Sequence, residues 1–334
     1  MSNSKRTTGM VLGKFLPPHL GHQYLAEFAH NYVDDLTIVV GTLKNEPIPG
    51  ELRFEWMKHM FPNDRVVHLT DENPQQPHEH PDFWNIWKES LERILPEKPD
   101  FVFASEDYGW KLAEILGAQF VPVDISRVSV PISGTEIRNN PMQNWEYIPR
   151  EVRPYFAKKI CVFGPESTGK STLARNLSER FDTTLVPEYA TTLINAFHDK
   201  GMEIGQADML SIIKGHQASE RALMKNANRI LISDTDAVAT TIWSKWLFND
   251  CPSELLSMAA GNPSDLYLLT SPDVPWVDDQ HRYIPEEGAQ KREKGQKFFE
   301  DCKRALEERG LPYVVIEGNW AEREQKAIKA VEIF

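Results

Sequence analysis

Short apolar runs and amphipathic stretches alternate along the first half of the chain. Five apolar runs have the length and residue content of buried strands: 7–15, 35–42, 64–69, 100–105 and 118–123. Four stretches between them carry apolar residues at helical spacing: 21–30, 51–60, 82–95 and 108–116. Strands that alternate with helices in this way predict a doubly wound α/β fold with a parallel sheet.

A second alternation of the same kind follows "NNPMQNWEYIPREVRPYFAKK" at 139–159, which is rich in proline, asparagine and aromatic residues. Strands are predicted at 158–164, 183–188, 229–236, 265–271 and 312–318. Helices are predicted at 169–180, 204–228, 296–309 and the C-terminal end. A chain of 334 residues is long enough for two domains. We predict an α/β domain at 1–145, a junction at 146–157 and a second α/β domain at 158–334.

Composition and charge restrict the class of protein. Lys and Arg total 37 against 49 Asp and Glu, a net charge of −12, which disfavours binding to nucleic acid or to an anionic membrane. No apolar run approaches the ~20 residues of a membrane span, and the three cysteines form no C-x-x-C pair. These features predict a cytoplasmic protein with no nucleic-acid or membrane partner, and they leave a homo-oligomer open.

The second predicted domain contains a complete phosphate-loop motif. "FGPESTGKST" at 163–172 lies between a predicted strand and a predicted helix. Its backbone N–H groups would face the phosphates of ATP, Lys170 would reach the β- and γ-phosphates, and the Ser171 hydroxyl would bind Mg²⁺. The predicted ATP-binding residues of this loop are Gly164, Glu166, Ser167, Thr168, Gly169, Lys170, Ser171 and Thr172.

Three acids near predicted strand ends are candidates for the remaining kinase chemistry. "ILISDTD" ends a strand with Asp234 and Asp236, which could serve Mg²⁺ or catalysis, or could only cap the helix that follows. Glu188 in "VPEYA" could accept the proton of an attacking hydroxyl, or could cap a surface helix. We rank Glu188, then Asp236, then Asp234 as the catalytic base, and assign Asp234 to the metal.

A charged stretch at 271–294 shows no hydrophobic periodicity. Such a stretch is typical of a disordered linker. It is also typical of a lid, in which Arg282 or Arg292 would close on the transferred phosphoryl group.

The first predicted domain contains a different phosphate motif. In "GKFLPPHLGH" at 13–22 a strand runs into a Gly/Pro turn and then a helix. His19 and His22 lie on one face there, and they could stabilise charge that develops on the α-phosphate and the leaving pyrophosphate. "ISGTEIR" at 132–138 supplies a second helix N-terminus for the β- and γ-phosphates. The predicted residues of this site are Gly13, Lys14, Phe15, His19, His22, Ser133, Thr135 and Arg138.

Together these motifs resemble the NadR family. "GKFLPPHLGH" and "ISGTEIR" resemble the nucleotidyltransferase motifs, and "FASEDYG", "NWEYIPREVRPYF", "VPEYA", "SDTD" and "DVPWVDD" strengthen the likeness. The resemblance covers nearly the whole chain, from Thr8 onward. It implies a Rossmann-like nicotinamide mononucleotide adenylyltransferase followed by a P-loop ribosylnicotinamide kinase.

The resemblance further implies a bifunctional enzyme of NAD⁺ salvage. ATP and Mg²⁺ would be its cofactors, and ribosylnicotinamide, nicotinamide mononucleotide, ATP and NAD⁺ its small-molecule partners. Asn85 and Trp87 in "HPDFWNIW" would hold the nicotinamide ring, and Trp84 could also stack on that ring. Asp278 in "DVPWVDD" would contact substrate. Because only a short segment precedes the first predicted strand, we expect no N-terminal helix-turn-helix and no repressor role.

Two alternatives stay open at this point. The first domain could transfer an adenylyl or cytidylyl group to another small phosphate, with an unrelated nucleoside kinase attached. The chain could also be a regulator that binds NAD or ATP without turnover.

One departure from the usual "ISSTxxR" motif, at Gly134, removes a side-chain contact but keeps the backbone of the site.

Overall fold

The computed structural model describes residues 6–273 and 289–333, without the side chains of residues 289–291. The chain divides into two compact units between Arg153 and Pro154. Each unit is built on its own parallel sheet of five described strands. The predicted fold class, two doubly wound α/β domains, is confirmed. No helix in the described ranges has the length and apolar character needed to cross a membrane.

The first unit has the strand order β3-β2-β1-β4-β5. Its strands are β1 (Thr8–Gly13), β2 (Asp35–Gly41), β3 (Arg65–Leu69), β4 (Phe101–Ala104) and β5 (Gln119–Pro122). Its helices are α1 (Leu20–Tyr32), α2 (Gly50–Met60), α3 (Phe83–Ile94), α4 (Tyr108–Leu116) and α5 (Gly134–Asn139).

The central strand of this unit is buried on both faces. Val11 pairs in register with Ile38 on one side and Phe103 on the other, and all three side chains belong to the same buried cluster. Its neighbour Met10 points to the opposite face and packs in a second buried cluster. From β1 the chain adds β2 and β3 on one side of the sheet, and it then adds β4 and β5 on the other side. The order in which strands are added therefore reverses at β1. In doubly wound sheets, ligands bind at the carboxyl ends of the strands at such a reversal point.

The second unit has the strand order β10-β9-β6-β8-β7. Its strands are β6 (Lys158–Phe163), β7 (Leu185–Val186), β8 (Ile230–Asp234), β9 (Leu266–Thr270) and β10 (Tyr313–Ile316). A short helix α6 (Arg153–Phe156) precedes β6. The other helices are α7 (Lys170–Arg180), α8 (Tyr189–His198), α9 (Asp208–Met224), α10 (Ala237–Phe248), α11 (Ser253–Gly261), α12 (Ala289–Glu308) and α13 (Trp320–Ile333).

The elements of the second unit differ from the sequence prediction in two places. The strand predicted at 183–188 shortens to the two residues of β7, and the chain leaves the sheet directly before Glu188. Helices α8 and α11 were not predicted, and α10 entered the sequence analysis only as the helix that Asp234 and Asp236 could cap. Helix α8 has no fully buried residue; Ala190 and Leu193 pack against the core but stay partly exposed.

Candidate functional sites

A cavity of about 790 Å³ lies at the reversal point of the first sheet. It is bounded by the residues that follow β1, by the start of α1, by α3 and by the start of α5. The cavity brings together most of the residues that the sequence predicted for adenylyl transfer: Gly13, Lys14, Phe15, His19, His22, Trp87, Ser133, Thr135 and Arg138. Residues separated by more than a hundred positions in the sequence therefore share one site.

His19 is the N-cap of helix α1. Its Nδ1 accepts a hydrogen bond from the N–H of Gly21 at 3.1 Å. In the neutral ring the proton consequently lies on Nε2, which is a hydrogen-bond donor. The pKa of His19 is lowered from 6.5 to about 4; burial is the main cause, the charge of Arg127 also lowers it, and the charge of Glu136 opposes both. His19 is therefore neutral near pH 7 and presents an N–H group.

His22 stacks on His19, with ring centroids 3.8 Å apart and an angle of 27° between the planes. Burial is the main cause that lowers its pKa well below 6.5, and the neighbouring His19 and Arg127 lower it further. Within the described part of the chain, its Nδ1 is buried without a hydrogen-bond partner. A buried unpaired nitrogen costs free energy, so it is an atom that a bound ligand would satisfy.

Two side chains, Arg53 and Tyr108, hold the loop between β1 and α1 in place. Arg53 is fully buried and donates to the carbonyl of Lys14 at 2.6 Å and to the carboxylate of Glu46. The Tyr108 hydroxyl donates to the carbonyl of Leu12 at 2.9 Å. Phe15 has a φ of 48°, a conformation that an L-residue adopts only where its surroundings enforce it. The loop is thus fixed before any ligand binds.

The residues of "ISGTEIR" serve the structure as well as the cavity. The Ser133 hydroxyl accepts from the N–H of Glu136 at 3.2 Å and donates to its carboxylate at 2.6 Å, as in a capping box. Arg138 donates to Thr135 Oγ1 at 3.0 Å and to the carbonyl of Leu16. Arg138 therefore ties α5 to the loop after β1.

Gly134 has a steric explanation. A Cβ atom at this position would lie 2.5 Å from the carbonyl oxygen of Leu16, closer than real Cβ atoms approach any backbone oxygen. Glycine at this position lets the helix N-terminus approach the loop closely.

Arg127 is a cavity residue that the sequence analysis missed. It lies outside both motifs, in the turn after β5 where Asp124 accepts from the N–H groups of Val128, Ser129 and Val130. Its guanidinium forms an ion pair with Glu106 at 3.2 Å, and its charge lowers the pKa of both histidines. Only a three-dimensional arrangement could have revealed it, because a lone arginine after a strand carries no signal in the sequence.

The aromatic wall of the cavity differs from the prediction at one residue. Phe83, Trp84 and Trp87 line the cavity, and Trp87 donates from Nε1 to the carbonyl of Pro74 at 2.8 Å. Asn85 is exposed and is not among the lining residues. Positions 84 and 87 are three apart and share a face of α3, whereas position 85 is rotated away from that face.

The phosphate loop of the second unit follows β6 directly. Gly164 (φ 135°), Ser167 (φ 60°) and Gly169 (φ 81°) all have positive φ, which turns the loop tightly around its own N–H groups. The Thr168 hydroxyl donates to the carbonyl of Pro165 at 2.8 Å. Lys170 Nζ donates to the same carbonyl at 2.7 Å, so the ammonium group already lies over the loop.

Asp234 lies beside the start of the loop helix α7. The Ser171 hydroxyl hydrogen-bonds to its carboxylate, and Lys170 is close enough to interact electrostatically. Burial nevertheless raises the pKa of Asp234. Among the described residues its Oδ1 has no hydrogen-bond partner, which leaves one carboxylate oxygen available to a cation next to a hydroxyl ligand.

Glu188 stands immediately before α8, at the same edge of the sheet. It accepts from the Thr191 hydroxyl at 2.9 Å. Burial raises its pKa above 4.5, the charge of Lys170 opposes this, and the charge of Asp234 adds to the rise. The loop lysine and two carboxylates therefore converge at this edge.

Asp236 does not belong with these groups, contrary to its prediction as a catalytic residue. Its Oδ1 accepts from the N–H of Val238 at 2.9 Å, so Asp236 caps α10. Its Oδ2 accepts from the Tyr267 hydroxyl at 2.6 Å. With both carboxylate oxygens engaged and the residue buried, the helix-cap alternative explains the presence of Asp236 after β8 without any role in chemistry.

Replacing Asp236 with alanine should destabilise the second unit by about 2–4 kcal/mol, because the helix loses its cap and the buried Tyr267 hydroxyl loses its acceptor. Calorimetric unfolding of the whole chain measures this loss of stability. Asp236→Asn keeps an oxygen for the cap and should lose less. Unchanged stability combined with lost phosphotransfer would assign Asp236 to the chemistry instead.

Two predicted residues, Asp278 and Arg282, lie outside the described residues. Arg292 is described and exposed. In the ranges that the structure describes, no three or more His, Cys, Asp or Glu side chains are grouped to hold a metal ion.

The decisive comparison is with curated proteins. The chain is 32% identical over 300 residues to the "Trifunctional NAD biosynthesis/regulator protein NadR" of Escherichia coli K12, an alignment covering 84% of this chain and 72% of the relative. The chain belongs to the NadR family. The chain is also 31% identical over 299 residues to the protein of the same name from Salmonella typhimurium LT2, an alignment covering 84% of this chain and 72% of that relative.

Other comparisons agree with this NadR assignment. The chain is similar to a crystal structure of a NadR protein in complex with NR, with a TM-score of 0.77 and 24% identity over 98% of this chain and 96% of that one; this likeness concerns the fold. It is 27% identical to the "Nicotinamide-nucleotide adenylyltransferase" of Thermococcus sibiricus over 54% of this chain and 99% of the relative. The "AAA domain" family model matches residues 159–323. That match contains the phosphate loop.

Proposed function

We propose that this NadR-family chain makes NAD⁺ in two steps, each of which uses one ATP. The second unit phosphorylates ribosylnicotinamide to nicotinamide mononucleotide. The first unit then transfers the adenylyl group of another ATP to that mononucleotide, which yields NAD⁺ and pyrophosphate. The observation that carries the proposal is the presence of two phosphate sites of different design, one in each unit, in a chain related over most of its length to NAD biosynthesis proteins.

In the adenylyl-transfer step a phosphate oxygen of the mononucleotide attacks the α-phosphorus of ATP. The bond from that phosphorus to the bridging oxygen breaks, and pyrophosphate leaves. Because the nucleophile is already ionised, the protein needs no nucleophile or base of its own, and positioning with charge stabilisation is sufficient. The N–H of His19, the Nδ1 of His22 and the guanidinium of Arg127 supply that stabilisation. A bound polyphosphate raises the pKa of His22, which converts its Nδ1 into a donor.

The aromatic wall of the first cavity suits a pyridinium ring. The faces of Trp84 and Trp87 carry a negative quadrupole potential that attracts a flat cation. Both rings line the same cavity as the histidine pair. The nicotinamide end of the substrate therefore rests on the tryptophans while its phosphate faces the histidines.

In the kinase step the 5′-hydroxyl of ribosylnicotinamide attacks the γ-phosphorus of ATP. The bond from that phosphorus to the β–γ bridging oxygen breaks, and ADP leaves. Glu188 accepts the hydroxyl proton, and Lys170 exchanges its contact with Pro165 for oxygens of the β- and γ-phosphates. Asp234 and the Ser171 hydroxyl fit Mg²⁺, because Oδ1 of Asp234 has no hydrogen-bond partner among the described residues and the same carboxylate is hydrogen-bonded to that hydroxyl. When bound, Mg²⁺ would neutralise charge on the phosphates.

The kinase rate should rise with pH through a pKa above the ordinary glutamate value of 4.5, because burial raises the pKa of Glu188 and only its ionised form accepts a proton. Glu188→Gln should remove this acidic limb and lower the rate by about 100-fold or more. The measurement is kcat for ribosylnicotinamide phosphorylation between pH 5 and 8. Glu203→Gln, an exposed loop substitution, is the control. If Glu188→Gln kept the acidic limb, the base would be another group.

Product analysis tests the function as a whole. The protein is given Mg·ATP with ribosylnicotinamide in one reaction and with nicotinamide mononucleotide in another, and the products are separated by chromatography. NAD⁺ in both reactions is the expected result. NAD⁺ from the mononucleotide alone would remove the kinase step from the proposal, and NAD⁺ in neither would overturn it.

A further inference from the structure

Three polar side chains form a hydrogen-bonded row from the surface of the first unit to its cavity. Thr42 directly follows β2, at the reversal point of the sheet, and is one of the residues that line the cavity. Its hydroxyl lies 2.8 Å from Nε2 of His68, which belongs to β3. The other ring nitrogen of His68, Nδ1, lies 3.4 Å from the carboxylate of Glu51, an exposed residue of α2. Neither proposed reaction uses these three side chains.

Close packing fixes the two inner side chains of the row. Thr42 is 7% exposed. A Cβ atom at Gly50 would lie 2.7 Å from Cβ and Oγ1 of Thr42, so the first residue of α2 rests directly against that side chain. The imidazole of His68 stacks on the ring of Phe54, with centroids 4.8 Å apart and an angle of 12° between the planes. The contact between hydroxyl and imidazole is therefore set by packing on both sides.

The partners of the two ring nitrogens decide where the protons lie. A carboxylate only accepts hydrogen bonds, so Glu51 favours the tautomer of His68 with its proton on Nδ1. Nε2 is then an acceptor, and the Thr42 hydroxyl donates to it. Burial is the main cause that lowers the pKa of His68 below 6.5, the charge of Arg53 also lowers it, and Glu51 opposes both. The ring is therefore neutral at pH 7, and the Thr42 oxygen offers only lone pairs to a ligand.

Thr42 lies beside the aromatic wall of the cavity. A Cβ atom at Gly41 would lie 3.8 Å from the ring of Trp87, so the indole contacts the residue that precedes Thr42. The N–H of Thr42 donates to the carbonyl of Leu69 at 2.9 Å, and Leu69 lines the cavity as well. A flat ring that stacks on Trp87 can therefore turn one edge towards Thr42.

We propose that Thr42, held by His68 and Glu51, makes the first unit select a pyridine mononucleotide with a carboxamide over one with a carboxylate. The inference rests on the proposed adenylyl transfer and adds its substrate specificity. The carboxamide nitrogen donates a hydrogen bond to the Thr42 oxygen. A carboxylate has no donor and faces the lone pairs of that oxygen, so nicotinate mononucleotide binds less well. His68 and Glu51 are positioning residues, since they act through Thr42.

Acid should reverse the hydrogen bond between Thr42 and His68. Both nitrogens of a protonated imidazole donate, so Nε2 would donate to Thr42 Oγ1 and the hydroxyl proton would turn to the ligand. A carboxylate then gains a donor, whereas a carboxamide turns its carbonyl oxygen to the same hydroxyl and loses little. The charges that act on His68 come from Glu51 and Arg53, both on α2. The preference for the amide is therefore present above the pKa of His68 and is lost as the pH falls through it.

Relative kinetics test this selection. The ratio of kcat/KM for nicotinamide mononucleotide to that for nicotinate mononucleotide is measured from pH 8 to pH 5, and ionisations common to both substrates cancel in it. The ratio should be about ten or more at pH 8 and should fall at least about fivefold by pH 5, as the efficiency with the acid rises. In His68→Gln the ratio should not vary with pH. His59→Gln, an exposed substitution on α2, should keep the wild-type profile. A flat wild-type profile, or a sloping one in His68→Gln, would overturn the proposal.

Substitutions of Thr42 test the hydroxyl itself. Thr42→Val keeps the shape of the side chain without its oxygen, so the ratio at pH 8 should fall to near one, mainly through a higher KM for nicotinamide mononucleotide. Thr42→Ser should keep the wild-type ratio. An unchanged ratio in Thr42→Val would overturn the role of Thr42.

Binding without ATP separates this inference from the proposed function. Quenching of tryptophan fluorescence by each mononucleotide should show the same preference, and the same loss of pH dependence in His68→Gln. That preference without any NAD⁺ formation would contradict the proposed function and support the selection. NAD⁺ formation from both mononucleotides with equal efficiency and equal binding would support the function and overturn the selection.

Discussion

Replacing Lys170 with alanine should lower the phosphorylation of ribosylnicotinamide by at least about 100-fold, because its ammonium group lies over the loop, where it would balance the charge of the β- and γ-phosphates. The adenylylation of nicotinamide mononucleotide should stay within about twofold of wild type, since its site is built from the other unit. Both rates are measured on the same preparation, each with its own acceptor and saturating ATP.

Lys158→Ala is the matched control for Lys170→Ala. Lys158 lies in the same unit, at the start of β6, and forms a surface ion pair with Asp265 at 3.3 Å. Its removal should leave both activities near wild type, because exposed ion pairs contribute little free energy. Full kinase activity of Lys170→Ala would show that the loop is not the phosphoryl-transfer site.

The parallel sheets could be predicted from the sequence because their strands are buried on both faces. Strands of this kind are continuous apolar runs, and β1, β2 and β9 stand out from the polar stretches beside them. Helices that bury little surface have no comparable signal. Helix α8 contributes no fully buried side chain, and its Ala190 and Leu193 are only partly buried against the core.

The candidate sites were predictable where a motif joins residues that are close in sequence. His19 and His22 share one turn of helix, and the phosphate loop is a continuous segment. Asp234 and Asp236 show the limit of such reasoning, because two acids after a strand look equivalent. Their roles diverge through a residue about thirty positions away: Tyr267 occupies the free oxygen of Asp236, and nothing described occupies the corresponding oxygen of Asp234.

Replacing His22 with alanine should have the opposite effect to the Lys170 substitution. Adenylylation of nicotinamide mononucleotide should fall by about 100-fold or more, because the leaving pyrophosphate loses the nitrogen aimed at it and His19 loses its stacking partner. Phosphorylation of ribosylnicotinamide should continue, so nicotinamide mononucleotide should accumulate in place of NAD⁺. Because the pKa of both histidines is lowered in the free protein, with that of His19 at about 4, neither ring titrates near pH 6.5 before ATP binds.

His59→Ala is the control for this variant, since His59 is exposed on α2 and lies outside the cavity. The His22 and Lys170 variants should complement each other. Mixed together with ribosylnicotinamide and ATP, they should again produce NAD⁺. The mononucleotide made by the His22 variant can diffuse to the intact adenylylation site of the Lys170 variant. If either variant lost both activities while its thermal unfolding matched that of wild type, the two sites would not be independent, and the assignment of one reaction to each unit would be wrong.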